Sequence, residues 1–181
     1  NQANFMYGKK DFKATNSAID VELSHCMSQI TFTVEKGAGY ADSEAMPTIT
    51  KAEILNASGL YTAGTFNLGT TSAGTVTAST SVNTTTTAIT PYRASSTATT
   101  WYAIVFPGQT FADKSNFIRF TPGDGTTYTY NLESALTCAA NYSYNYTLKL
   151  NRKDVTLGGF SVAAWTKTDA TGNAGMDFPT D

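Results

Sequence analysis

One imidazole, His25, and two thiols, Cys26 and Cys138, are where nucleophilic or soft-metal chemistry would have to start in this 181-residue sequence. A cysteine nucleophile needs a base within hydrogen-bond reach. Neighbouring residues of an extended strand point to opposite faces, so His25 is badly placed to activate Cys26. A single histidine also leaves most metal and acid–base schemes without their usual ligand or proton shuttle. The two cysteines lie far apart and show no metal-type spacing. In an oxidising compartment they could bridge strands; as unpaired thiols, Cys26 would act as a small core residue. Sequence alone leaves both readings open, because a bridge depends on the distance between the two Cα atoms.

The carboxylates offer no better start. They are scattered from Asp11 to Asp181, without the regular acidic ligands of a calcium loop; Asp169–Asn173 has only a faint likeness to one. Asp124 stands between Gly123 and Gly125 and reads as a turn residue. No nucleophile elbow, P-loop or dinucleotide glycine pattern occurs. The expectation is a chain with no catalytic residues, no metal site and no cofactor. Aromatic residues leave one alternative, because exposed Trp and Tyr can stack on sugar rings. Tyr142, Tyr144 and Tyr146 share a face that runs on into Leu148 and Leu150, which favours core packing. Trp101 and Trp165 border apolar strands, and each needs a partner for its indole N–H if buried.

The elements that would hold these residues are strands. In Ile19–Glu35 the apolar positions alternate as Ile19, Val21, Leu23, His25 and Met27, the period of a strand with one buried face. Ile30, Phe32 and Val34 then take the other parity, so a bulge or a break between two strands is expected at Ser28–Gln29. Ile49–Leu55 reads as a further strand, and Tyr61–Leu68 as a short extended piece. Residues 69–100, rich in Thr, Ser and Ala, read as long loops with one or two short strands. Trp101–Phe106 is a nearly continuous apolar run closed by Pro107 and Gly108, the signature of a strand buried on both faces. Phe117–Phe120 and Thr126–Leu132 flank Pro122–Gly125 and predict a hairpin. Tyr142–Leu150 is the longest clean alternation, and Val155, Leu157, Phe160, Val162 and Trp165 close the series.

Charged residues are 14% of the chain, against roughly 25% in an average soluble domain. Its formal charge of −2 gives no electrostatic case for nucleic acid. No apolar run approaches the roughly 18 residues of a membrane span. The predicted architecture is all-β, a sandwich of about seven to ten strands with long Thr/Ser-rich loops. Residues 1–14 read as a lead-in or interdomain segment, 15–166 as the sandwich domain and 167–181 as a C-terminal tail.

The succession of motifs resembles a known family. Asn4–Tyr7 precedes Val21–Ile30; Trp101–Pro107 and a glycine-turn hairpin with Tyr128-Thr129-Tyr130 follow; then come Asn141–Leu148 and Val162–Trp165 with Gly172-Asn173-Ala174. In order and spacing this is similar to the fimbrillin-like proteins of Gram-negative gut and oral anaerobes, the subunits of type V pili. There are departures: Gly108 separates Pro107 from Gln109 where relatives read Pro-Gln-Thr, and Cys138-Ala139-Ala140 stands where many carry Ala-Gly. The resemblance implies a transthyretin-like Greek-key sandwich, corresponding to the second of two such domains. It also implies a non-enzymatic subunit exported as a lipoprotein to the outer membrane and cell surface. There it would join other pilus subunits by β-strand addition and contact host or bacterial surface ligands. Met176 and Phe178 make the tail Lys167–Asp181 a candidate donor strand, but its Gly and Pro content favours a surface tail. The competing reading is a carbohydrate- or ligand-binding β-sandwich module of an exported lipoprotein. Solvent exposure separates them: a flat exposed platform of Trp101, Trp165 and the Tyr142–Tyr146 set favours the binding module, and burial favours a scaffold.

Overall fold

A computed structural model of the chain describes residues 5–11, 13, 21–68, 74–79, 81, 83 and 86–165. The strands, in chain order, are β1 (Met6–Tyr7), β2 (Ser24–His25), β3 (Ser28–Lys36), β4 (Ile49–Leu55), β5 (Gly64–Asn67), β6 (Thr75–Ala78) and β7 (Ala88–Ile89). They continue with β8 (Thr100–Val105), β9 (Thr110–Phe111), β10 (Asn116–Pro122), β11 (Tyr128–Asn131), β12 (Leu136–Thr137), β13 (Tyr142–Leu150) and β14 (Val155–Ala164). Among the described residues there is no helix, and the architecture is an all-β sandwich. One four-stranded sheet runs β14-β13-β3-β8 and the other β11-β10-β4-β7; the pairs β1-β2, β5-β6 and β9-β12 are small accessory sheets. The eight strands of the two main sheets fall within the expected seven to ten.

The core lies between the two sheets. Ile30, Phe32 and Val34 of β3 and Tyr144, Tyr146, Leu148 and Leu150 of β13 face Ala52, Ile54, Phe117, Ile118, Phe120 and Tyr130 of the opposing layer. Alternation along each strand produces this, with one face apolar and the other not. Phe32 stacks on Trp101 with ring centroids 5.5 Å apart, and Phe120 meets Phe32 edge-on at 5.7 Å, so aromatic contacts join the layers. Trp101, Ala103 and Val105 are buried on the core side of β8 and Ile104 on its outer side, while Tyr102 is half-buried.

The parity change in the opening stretch is a break between strands, two residues earlier than Ser28–Gln29. The chain bends at Cys26–Met27, and β3 already starts at Ser28. β2 leaves the main sheet to pair with β1, and the Cys26 N–H donates to the Phe5 carbonyl at 2.8 Å. The expected buried face before the break is corrected in the same way: His25 and Met27 are buried, but Val21 and Leu23 are exposed. Their stretch leads into the short β1-β2 sheet instead of lying over the core.

On the outer face of the second sheet, Glu53 is paired directly across from Arg119. Arg119 Nε and Nη2 lie 2.9 and 2.8 Å from its Oε2, and Lys51 Nζ lies 2.9 Å from Oε1. Burial by itself would raise this carboxyl's pKa. The hydrogen bonds and charges of Lys51 and Arg119 outweigh burial and hold it below the ordinary glutamate value of 4.5. A carboxyl depressed in the folded state stabilises fully above its unfolded pKa and loses that contribution as pH falls through the folded one. Thermal unfolding followed by circular dichroism should therefore show the midpoint falling as pH drops below 4.5, and Glu53→Gln should flatten that acid limb. An unchanged limb in the variant would show that the ion pairs contribute nothing to it.

Candidate functional site

The feature that sets this sandwich apart is the strand at one edge, β14. It pairs antiparallel with β13, whose inner face carries the alternating tyrosines and leucines. Leu148 opposes Leu157 and Thr147 opposes Gly159, so Gly158 has no partner and forms a bulge. The extra residue switches parity, which brings Val155 and Leu157 and then Phe160 and Val162 to the same inward face. Glycine suits the position because a Cβ there would lie 3.2 Å from the Thr147 carbonyl oxygen and 3.3 Å from the Lys149 side chain.

β14 touches β11, and Val155 and Leu157 near its start pack against the core. β11 is only four residues long, whereas β14 has ten. Farther along, the inward-facing side chains of β14 are partly open to solvent. Phe160 and Val162 are each 47% exposed and Tyr142 is 43% exposed, although Phe160 still leans on Tyr146 with centroids 4.7 Å apart. The outer edge of β14 also has no strand partner among the described residues. The result is an unpaired backbone edge beside an apolar strip that faces the core layer.

Asn141 anchors this strip at its far end. It sits at φ 63°, in the left-handed region that Asn tolerates better than most residues. Its N–H donates to Met27 O at 3.0 Å, its carbonyl accepts the Trp165 N–H at 2.7 Å, and its Oδ1 accepts the His25 N–H at 3.1 Å. These bonds seat the Trp165 ring flat on His25, at 3.8 Å and 5° between planes. Burial holds the His25 pKa below its ordinary value, as befits a packing residue kept neutral.

The remaining candidates for chemistry stay dispersed. Cys26 and Cys138 stand as free, buried thiols. Burial raises the pKa of Cys26 and pushes that of Cys138 up to about 12, so neither is poised as a thiolate. Among the described residues no three His, Cys, Asp or Glu side chains gather as a metal set, and no helix is long and apolar enough to cross a membrane. Asp124 is a turn residue, its Oδ1 accepting the Thr126 N–H at 2.9 Å. Asp169–Asn173 and the tail anchors Met176 and Phe178 lie outside the described residues. The aromatic platform does not form: Trp101, Tyr144 and Tyr146 are buried and Trp165 is covered on one face by His25. Sequence reading missed the edge strip, although Gly158-Gly159 between two apolar pairs of opposite parity was its signal.

A family model described as fimbrillin-like matches residues 1–165. Among solved structures, a candidate cell adhesion protein of Bacteroides uniformis superposes with a TM-score of 0.58 at 20% identity, covering 82% of this chain and 54% of that one. Another, from Bacteroides ovatus, gives 0.53 at 17% identity, over 83% of this chain and 49% of that one. The chain thus spans about half the length of the solved structures it matches. No curated protein matches the sequence.

Proposed function

The chain belongs to the fimbrillin-like family, and from that premise we propose that it is a non-enzymatic pilus or adhesion subunit of the cell surface that joins its neighbours by strand addition along β14. The observation that supports this most directly is the half-exposed Phe160 and Val162 beside an edge without a strand partner among the described residues. An extended segment laid along β14 would gain main-chain hydrogen bonds in proportion to its length, and its alternate side chains would cover the apolar strip and set register. An edge of this kind left open invites uncontrolled pairing, so a dedicated partner resolves a liability of the fold. Export as an outer-membrane lipoprotein belongs to the same proposal. A low share of charged residues and a Thr-rich, β-only framework fit that setting.

The full-length protein, once proteolytically processed, should form oligomers that resist SDS or heat. Phe160→Asp with Val162→Asp should abolish them while leaving the monomer folded, since both side chains are already half-exposed. Persistent monomers under every processing condition would sink the polymerising role. Oligomers unchanged in the double variant would move the joint away from β14.

A further inference from the structure

A small cavity opens where β4 begins in one sheet and β8 begins in the other, with a volume of about 190 Å³. Its walls are Met46, Pro47 and Ala98 on the apolar side, with the Thr48 and Ser96 residues adding hydroxyl groups. Arg93 and Trp101 complete it. Arg93 Nη1 donates to the Ile49 carbonyl at 2.7 Å, and its guanidinium carbon lies 5.4 Å from the centre of the Trp101 ring. These two contacts fix the planar fork in place and occupy one of its five N–H donors. Among the described residues no carboxylate pairs with it, and the cavity lining holds no acidic side chain. A half-buried guanidinium, held rigid and locally uncompensated, sits beside an apolar recess.

We propose that this recess binds a compact carboxylate, with Arg93 taking the carboxylate and the Met46–Pro47–Ala98 wall receiving a short apolar body. An Arg fork matches a carboxylate in two parallel hydrogen bonds, the strongest polar pairing its geometry offers. The cavity is smaller than the roughly 300–1,000 Å³ of drug-sized sites, so the ligand has only a few carbon atoms inside it. Phe32 stacked on Trp101 and Arg93 over its ring leave no open platform for a sugar, which turns the site away from neutral glycans. The carboxylate has two sources of the same chemistry: a free short-chain acid, or the C-terminal residue of a peptide chain.

The test is a titration of the chain, labelled with nitrogen-15, with sodium butyrate, butyramide, and a tetrapeptide ending in valine as free acid or as amide. Butyrate should shift the Trp101 indole and Arg93 side-chain resonances saturably, and butyramide should not. Binding of the tetrapeptide acid but not its amide assigns the site to chain ends; exclusion of the tetrapeptide assigns it to free acids. Arg93→Gln should weaken binding about 10- to 100-fold, the value of a charge-assisted hydrogen bond. Ala98→Leu, which fills the recess and keeps Arg93, should weaken it comparably, and it decides the matter if Arg93→Gln does not fold. Equal shifts from butyramide or from sodium sulfate, no saturable shift from either acid, or undiminished binding in Ala98→Leu would overturn the proposal.

Discussion

Phe120→Ala is expected to lower the unfolding free energy by about 3–5 kcal/mol, the range for deleting a buried phenyl ring. Phe120 belongs to β10 in one sheet, and the rings it meets, Phe32 and Trp101, belong to β3 and β8 in the other. It is fully buried. Truncation therefore leaves a void between the layers and also removes two aromatic contacts, each worth about 0.5–1.5 kcal/mol beyond area. Urea unfolding of the variant and of Tyr142→Ala, a half-exposed residue, makes the comparison internal. A loss at Phe120 no larger than that at Tyr142 would show that the three rings do not tie the sheets together.

Gln109→Met should cost about 2–4 kcal/mol with side-chain volume nearly conserved. The buried Gln109 amide accepts the Tyr61 N–H at 2.8 Å and donates to the carbonyls of Gly59 and Thr110 at 3.3 Å. Asn56 Nδ2 reaches the same Thr110 carbonyl at 2.8 Å. Together they clamp the turn after β4 onto β9. Methionine fills the space but leaves the Tyr61 N–H and the Gly59 carbonyl without a partner, the costly half of any hydrogen-bond deletion. Hydrogen exchange at Tyr61 should quicken markedly, and retained protection at that amide would show that the clamp is dispensable.

Local grammar was legible wherever one residue type has one physical meaning. Ile49–Leu55 and Tyr142–Leu150 are strands at the expected bounds, the second because its alternation is unbroken. The hairpin of β10 and β11 follows from its turn, where Gly125 takes φ 81°. Gly108, the departure from the family pattern, is explained by the structure: with φ 82° it occupies the third position of a turn closed by the Gln109 N–H to the Phe106 carbonyl, at 3.2 Å. What stayed hidden depends on distant partners. Nothing in Val21 and Leu23 reveals that β2 pairs with β1 and leaves them exposed. The half-exposed Phe160 and Val162 follow from the edge position of β14, which pairings elsewhere in the chain decide. The Arg93 recess likewise joins a loop before β8 to the start of β4.

β3 lies between β8 and β13, and this placement sets the order in which the fold can be made. Its cross-strand contact Thr33–Thr100 spans 67 residues of chain, and Gln29–Ser143 spans 114. Loop-closure entropy grows slowly with length, at about 0.6 kcal/mol per doubling, so the finished sheet loses little stability to this wiring. Time is different, because non-local pairings must be searched for before they stabilise anything. A chain emerging from its N-terminus presents Ile30, Phe32 and Val34 long before either neighbour exists, and the parallel partner arrives last. A strand flanked on both sides in the finished sheet is therefore without either neighbour while the chain is still being made.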